Sequence, residues 1–194
     1  MSTVITKEFV TPPPNRREIL RYMGCRESSA EIEGLIDRAI READSKIGGK
    51  VCYRILDISR RDGGIDLGFA FTESRDLKKA LAGCDRVVLF AATIGLELDR
   101  LIYRYGRTSP SLALCLQALG AERIEALCDE FCAFLTRNGH SLRPRFSAGY
   151  GDLPLELQKD IFRALDCSKQ IGLTLNDSLL MSPTKSVTAI VGIK

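Results

Sequence analysis

The chain has 194 residues, 45% of them apolar, with 28 Lys and Arg against 25 Asp and Glu for a formal charge of +3. That is one domain's length with enough apolar material for a core, and no basic block is long enough to argue for nucleic acid. No apolar run approaches the roughly 20 residues of a membrane helix, and Met1-Ser2-Thr3-Val4-Ile5-Thr6-Lys7 lacks the charged-then-apolar layout of a signal peptide, so a cytoplasmic protein with no membrane partner is expected.

Residues 1–14 end in Pro12-Pro13-Pro14 and are expected to form an extended arm, because a proline run cannot be helical. Residues 15–194 are expected to form a single domain. A short helix is predicted over Asn15–Met23, stopped by Gly24. Ser28-Ser29-Ala30-Glu31 has the form of a capping box. Ile32, Leu35, Ile36, Ala39, Ile40 and Ala43 then recur at helical spacing, up to Gly48-Gly49. Val51–Ile58 reads as a strand. A Gly63-Gly64 turn leads to Ile65, Leu67, Phe69 and Phe71, whose alternation predicts a second strand and a hairpin with the first. Asp76–Ala82 is predicted as a short helix. Arg86–Ala92 holds the apolar run of a central strand buried on both faces, and Gly95–Tyr105 reads as a helix. Ser109-Pro110 opens a long helix that runs to about Arg137 and stops at Asn138-Gly139. Arg143–Pro154 is rich in turn residues. A helix from Leu155 to about Leu165 follows, then two short strands near Leu173–Leu175 and Ser186–Ile193. Helices and strands mix without regular βαβ alternation. This predicts an α+β fold, with a mixed or antiparallel twisted sheet and flanking helices.

Seven cysteines are scattered without any Cys-x-x-Cys spacing, and His140 is the only histidine. Reduced, buried thiols are expected, and no metal site. Without a cysteine triad there is no iron–sulfur centre for radical chemistry. A doubly wound methyltransferase would place its glycine loop after the first strand, whereas the informative glycines here come late.

They lie in Arg145-Phe146-Ser147-Ala148-Gly149-Tyr150-Gly151-Asp152-Leu153-Pro154. This reads as a tight turn feeding a helix. Gly149 and Gly151 permit unusual backbone and close ligand approach. Asp152 is expected to cap the next helix, with Pro154 in its first turn. Arg145 offers a fork for a carboxylate, and Tyr150 offers an aromatic face and a hydroxyl. A ligand with a carboxylate at one end and a flat ring at the other matches these groups. Composition alone leaves a plainer reading open: a surface turn whose arginine pairs with a neighbouring acid.

Arg145-x-x-x-Gly149-Tyr150-x-x-x-Pro154 resembles the Arg-x-x-x-Gly-Tyr-x-x-x-Pro signature of the activation domain of vitamin B12-dependent methionine synthase. The likeness continues in order. Leu165-Asp166, Ile171-Gly172-Leu173-Thr174-Leu175 with Asp177-Ser178, Met181-Ser182-Pro183 and Ser186-Val187 are similar to that family's Leu-Leu, Gly-Met-x-Leu-Thr-Glu-Ser, Met-x-Pro and Ser-Val elements. The stretch from Arg143 to Gly192, roughly a quarter of the chain, carries the resemblance.

The resemblance implies an activation-domain fold that binds S-adenosylmethionine and serves methionine biosynthesis. Such a domain docks on a cobalamin-binding module. It presents the methyl donor while a flavodoxin-like protein supplies the electron that restores an oxidised, inactive cobalamin. Its work is positioning, so no catalytic acid or base is needed. Carried over by position, Arg145 holds the ligand's carboxylate, while Ala148, Gly149, Tyr150 and Gly151 line the pocket. Glu125 and Glu130, within Glu122–Glu130, are the candidates to meet the ligand's cationic end. Ala148 stands where the family usually has proline. The sequence ends at Lys194, before the family's C-terminal extension and its late ligand-contacting tyrosine, and the cobalamin-ligand motif Asp-x-His-x-x-Gly is absent. A free-standing form would act in trans, on methionine synthase or another corrinoid protein. The alternatives are a reactivation partner of a different corrinoid methyltransferase, and a non-catalytic small-molecule-binding protein that has lost S-adenosylmethionine.

Overall fold

The computed structural model describes residues 3–61 and 63–194. In chain order the elements are β1 (Ile5–Phe9), α1 (Arg16–Met23), α2 (Ala30–Ala43), β2 (Gly49–Asp57), β3 (Ser59–Arg61), β4 (Gly64–Asp66), β5 (Phe71–Thr72) and α3 (Arg75–Ala80). They continue as β6 (Arg86–Thr93), α4 (Glu97–Thr108), α5 (Pro110–Arg137), α6 (Leu157–Leu165), α7 (Cys167–Ile171), β7 (Thr174–Leu175), β8 (Met181–Ser182) and β9 (Ser186–Ile193).

The main sheet has the order β1-β2-β6-β9, antiparallel throughout. Its centre is β6, paired from Lys50↔Thr93 to Asp57↔Arg86 on one side and from Arg86↔Ile193 to Thr93↔Ser186 on the other. Successive side chains of a strand point to opposite faces, and every β6 residue after Arg86 is buried. The fold therefore has a helical or hairpin cover on both faces. Val88, Phe90 and Ala92 pack with Val51, Tyr53 and Val191 under helices α1, α2, α4 and α5. Phe131 of α5 sits at the middle of that core, its ring 4.9 Å from Phe90, 5.1 Å from Tyr53 and 5.9 Å from Phe9. Val87, Leu89 and Ala91 point the other way, against Ile65, Leu67, Leu77, Ile161 and Leu165. The result is an antiparallel α+β fold with helices on both sides of the sheet, as the pattern predicts.

Several local expectations change. The arm is extended, and residues 5–9 of it form the edge strand of the sheet, with Ile5↔Tyr53 to Phe9↔Gly49 in register. Ser29, rather than Ser28, caps α2 by accepting from the Ile32 N–H at 3.3 Å, so the reciprocal capping box does not form. The long strand at 49–57 does not pair with the Ile65 segment. It takes β1 and β6 as partners, while β4 pairs with the short β3 and with β5 in a separate small sheet. The alternation from Ile65 to Phe71 is interrupted by a turn: Asp66 Oδ1 accepts from the Gly68 N–H, and Leu67 N–H donates to the Ala70 carbonyl. A side-chain pattern of period two survives such a break, which is why periodicity alone reads through it.

None of the seven cysteines is in a disulfide, and five are buried. Burial pushes the Cys128 thiol up to about 12 and Cys115 up to about 11, as apolar surroundings do to any group that ionises to an anion. These behave as small hydrophobes.

Candidate functional site

The segment from Arg143 to Phe146 runs along the outer edge of β9. Arg143 N–H donates to the Gly192 carbonyl at 2.9 Å, and Phe146 and Ile190 exchange backbone bonds at 2.9 and 2.8 Å. The edge strand is thus covered, and the chain is held straight until it turns over residues 147–153. There Tyr150 N–H meets the Ser147 carbonyl, and Gly149 N–H meets the Leu153 carbonyl at 2.9 Å. Gly149 has φ +89° and Gly151 φ +53°, a region that favours glycine. A Cβ at Gly151 would also press on the Asp76 side chain, which would have to move aside. The turn is docked onto the start of α3.

Asp152 is what docks it, and this corrects the expected cap. The carboxylate accepts from the Arg75 N–H at 2.7 Å and the Asp76 N–H at 3.2 Å, and from the Ser74 hydroxyl. It caps α3 across space, while α6 begins without any side-chain cap bond. The Ser74 hydroxyl and the Arg75 N–H hold the Asp152 carboxyl below its ordinary range. A lowered folded-state pKa stabilises the fold at pH above the unfolded value, and that contribution is lost as pH falls through the folded one. Ser74 also accepts from the Leu77 N–H at 3.0 Å. Ser74→Ala removes both the local cap and the anchor of the turn, and is expected to destabilise by about 1–2 kcal/mol. Thermal melts at pH 7 and pH 3 check this, with the smaller difference at pH 3.

Beside the turn is a cleft of about 410 Å³, lined by Glu125, Arg145, Ala148, Tyr150, Gln158 and Met181 among others. Its volume falls within the range of small-molecule sites. The Tyr150 ring is 70% exposed, so it is open to stacking. The Arg145 guanidinium is engaged: Nη2 bonds Glu125 Oε2 at 2.7 Å and Nη1 bonds Asp129 Oδ1 at 2.6 Å. These use two of the five N–H donors of a guanidinium. Burial opposes the Arg145 charge, but the hydrogen bond with Asp129 and the charges of Asp129 and Glu125 outweigh it and raise its pKa. Arginine and glutamate together give the cleft rim a fixed pair of opposite charges.

Of the residues expected at the site, Glu125, Arg145, Ala148 and Tyr150 come together. Glu130 does not join them. It pairs with Arg137 at 2.6 Å and faces a different depression, beside Pro12 and Pro13. Gly149 and Gly151 shape the turn without lining the cleft. Gln158, in the first turn of α6, is a cleft residue that the sequence does not single out. It is 7% exposed, and its Oε1 has no hydrogen-bond partner among the described residues. A glutamine near a helix start carries no signal of its own; only its burial does.

A comparison with solved structures finds the crystal structure of the MetH reactivation domain bound to AdoHcy, with a TM-score of 0.70 and 15% identity over 98% of this chain and 78% of that one. The chain has the reactivation-domain fold. No protein-family model matches it, and no curated protein matches it by sequence. The reactivation-domain fold survives at such low identity because its frame needs only two alternating buried faces on one antiparallel sheet and helices to cover them. In this chain residues 143–146 cover the β9 edge, and the turn that follows places Ala148 and Tyr150 in one cleft with Glu125 of α5 and Gln158 of α6. Among the described residues, no group of three or more His, Cys, Asp or Glu side chains is placed to hold a metal ion, and no helix is long and apolar enough to cross a membrane.

Proposed function

We propose that the chain binds S-adenosylmethionine in the cleft between α5, the 145–150 turn and α6, and that it serves the reductive reactivation of a cobalamin-dependent methionine synthase in trans. The observation that carries this reading is a cleft with paired opposite charges at one side and an open phenol ring at another, in a fold whose solved counterpart binds AdoHcy. AdoHcy is what remains of S-adenosylmethionine once its methyl group has left. The ligand's amino-acid end carries a carboxylate and an ammonium. Arg145 complements the first and Glu125 the second, and Glu125 also attracts the sulfonium. The Tyr150 face takes the flat ring.

A corrinoid-binding partner would hold the cobalamin whose cobalt accepts the methyl group, and a flavodoxin-like donor would supply the electron. The residues of this chain hold the donor in one orientation at an exposed surface, which replaces an encounter in solution by a positioned one. No proton moves, so the lack of a Ser-His-Asp or Cys-His set is no obstacle. His140, the single histidine, lies past the end of α5, outside the cleft, so cobalt ligation falls to the partner.

The engagement of Arg145 by two acids favours a second reading: a small-molecule-binding protein that has lost S-adenosylmethionine. Calorimetry separates the two. Saturable binding of S-adenosylmethionine and AdoHcy at one site per chain is expected. Added to methionine synthase lacking its own activation domain, with reduced flavodoxin and S-adenosylmethionine, the chain should restore the methylcobalamin spectrum. Absence of heat with both ligands sinks the first reading. Binding without reactivation points to another corrinoid methyltransferase.

A further inference from the structure

We infer that Gln158 is the residue that reads the purine edge of the ligand in this cleft, selecting adenine by hydrogen bonds to its amino group and ring nitrogen. The inference rests on the reading of the cleft as an S-adenosylmethionine site. Its starting point is a polar group with nothing to do in the free protein. Gln158 is more than nine-tenths buried, and Oε1 is shielded from solvent with no partner among the described residues. A shielded, unpaired carbonyl is unfavourable, and buried polar groups in folded proteins are nearly always bonded. An apolar residue of similar size would fill the position in the first turn of α6 with no such penalty.

The surrounding groups narrow the role. Three other polar side chains of the cleft, Arg145, Glu125 and Ser186, are already bonded. Arg145 and Glu125 bond each other at 2.7 Å, and the Ser186 hydroxyl meets Thr93 Oγ1 at 2.9 Å and the Pro183 carbonyl at 2.8 Å. Among the described residues, Gln158 Oε1 is the solvent-shielded side-chain atom of the cleft lining that lacks a partner. A carboxamide carries an acceptor and a donor side by side. This matches a purine with an amino group next to a ring acceptor, the pairing by which glutamine recognises adenine through N6 and N7. Rotation about the last glutamine torsion is soft, so a base entering the cleft can draw the amide edge, shielded in the free protein, round to meet it. The exposed Tyr150 ring on the same cleft supplies the stacking face that base recognition commonly adds. The charged pair then serves the amino-acid end, and Gln158 with Tyr150 the base.

The test is calorimetry of the full chain and of Gln158→Leu, each with AdoHcy and with the analogue that carries hypoxanthine in place of adenine. Gln158→Met, which keeps side-chain length without the amide, is run alongside, with melting curves for all three proteins. The wild type is expected to prefer AdoHcy by about tenfold. Both variants should melt no lower than wild type, bind AdoHcy about tenfold more weakly and lose the preference. If the variants bind AdoHcy as the wild type does, or keep its preference, the role given to Gln158 is overturned while the ligand reading stands. If both variants unfold, Gln158 serves the fold instead and the inference is overturned. If the wild type binds neither compound, the ligand reading fails, and this inference with it.

Discussion

Arg123→Ala is expected to lower folding stability by about 3–5 kcal/mol, read as a fall in the urea midpoint at constant slope. Arg123 and Glu122 are both 6% exposed at the side chain, and they bond each other twice, at 2.5 and 2.6 Å. Glu122 Oε1 also accepts from the Asn15 N–H at 3.1 Å, at the cap of α1. Arg123 donates to Thr11 Oγ1 at 3.1 Å and to the Pro12 and Pro13 carbonyls. The prolines have no N–H of their own to offer, so this one guanidinium gathers the arm's acceptors and ties them to α5. Removing it leaves the buried Glu122 carboxylate without its cation and releases the Thr11–Pro13 stretch between β1 and α1. The double variant Glu122→Gln with Arg123→Met has no stranded charge and should lose clearly less than Arg123→Ala. If the single variant loses under about 1 kcal/mol, the pair behaves like a surface ion pair and does not hold α5 to the arm.

This pair also shows what the sequence can and cannot give. Glu122-Arg123 reads as part of the acidic Glu122–Glu130 stretch of the long helix, and Pro12-Pro13-Pro14 as the end of an extended arm. Each reading is locally sound, and only the third dimension joins them. The main frame was legible because it rests on local physics. The apolar run of β6 called for cover on both faces, Asn15 and Gly24 bound α1 as cap and left-handed stop, and Pro110 and Asn138 bracket α5. Pairing was less legible: β2 chose β1 and β6 over the nearer Ile65 segment, a choice of long-range register that no short window contains. At the site, the motif around Arg145 and Tyr150 led to the cleft. Asp152, by contrast, reads as a local cap, yet it caps a helix 76 residues away in sequence. Gln158 stayed silent, because a buried glutamine and an exposed one are the same letter.

Arg145→Ala is expected to weaken S-adenosylmethionine binding by about 1.5–3 kcal/mol, some 10- to 150-fold, through loss of a charge-assisted carboxylate contact. Its effect on stability should be small. Its partners Glu125 and Asp129 are 45% and 74% exposed, and pairs this open to water contribute about 0–1 kcal/mol. Losing the arginine leaves two carboxylates one helical turn apart, which adds a few tenths of a kcal/mol of repulsion. The two magnitudes decide what the ion pair is for. An arginine serving only as a strut between β9's edge segment and α5 would show its whole effect in the melting curve and none in the titration. An arginine that shares its remaining donors with a bound carboxylate would do the reverse. Calorimetry and thermal melts on the same protein sample distinguish these outcomes. Equal affinity in wild type and Arg145→Ala removes the arginine from the site.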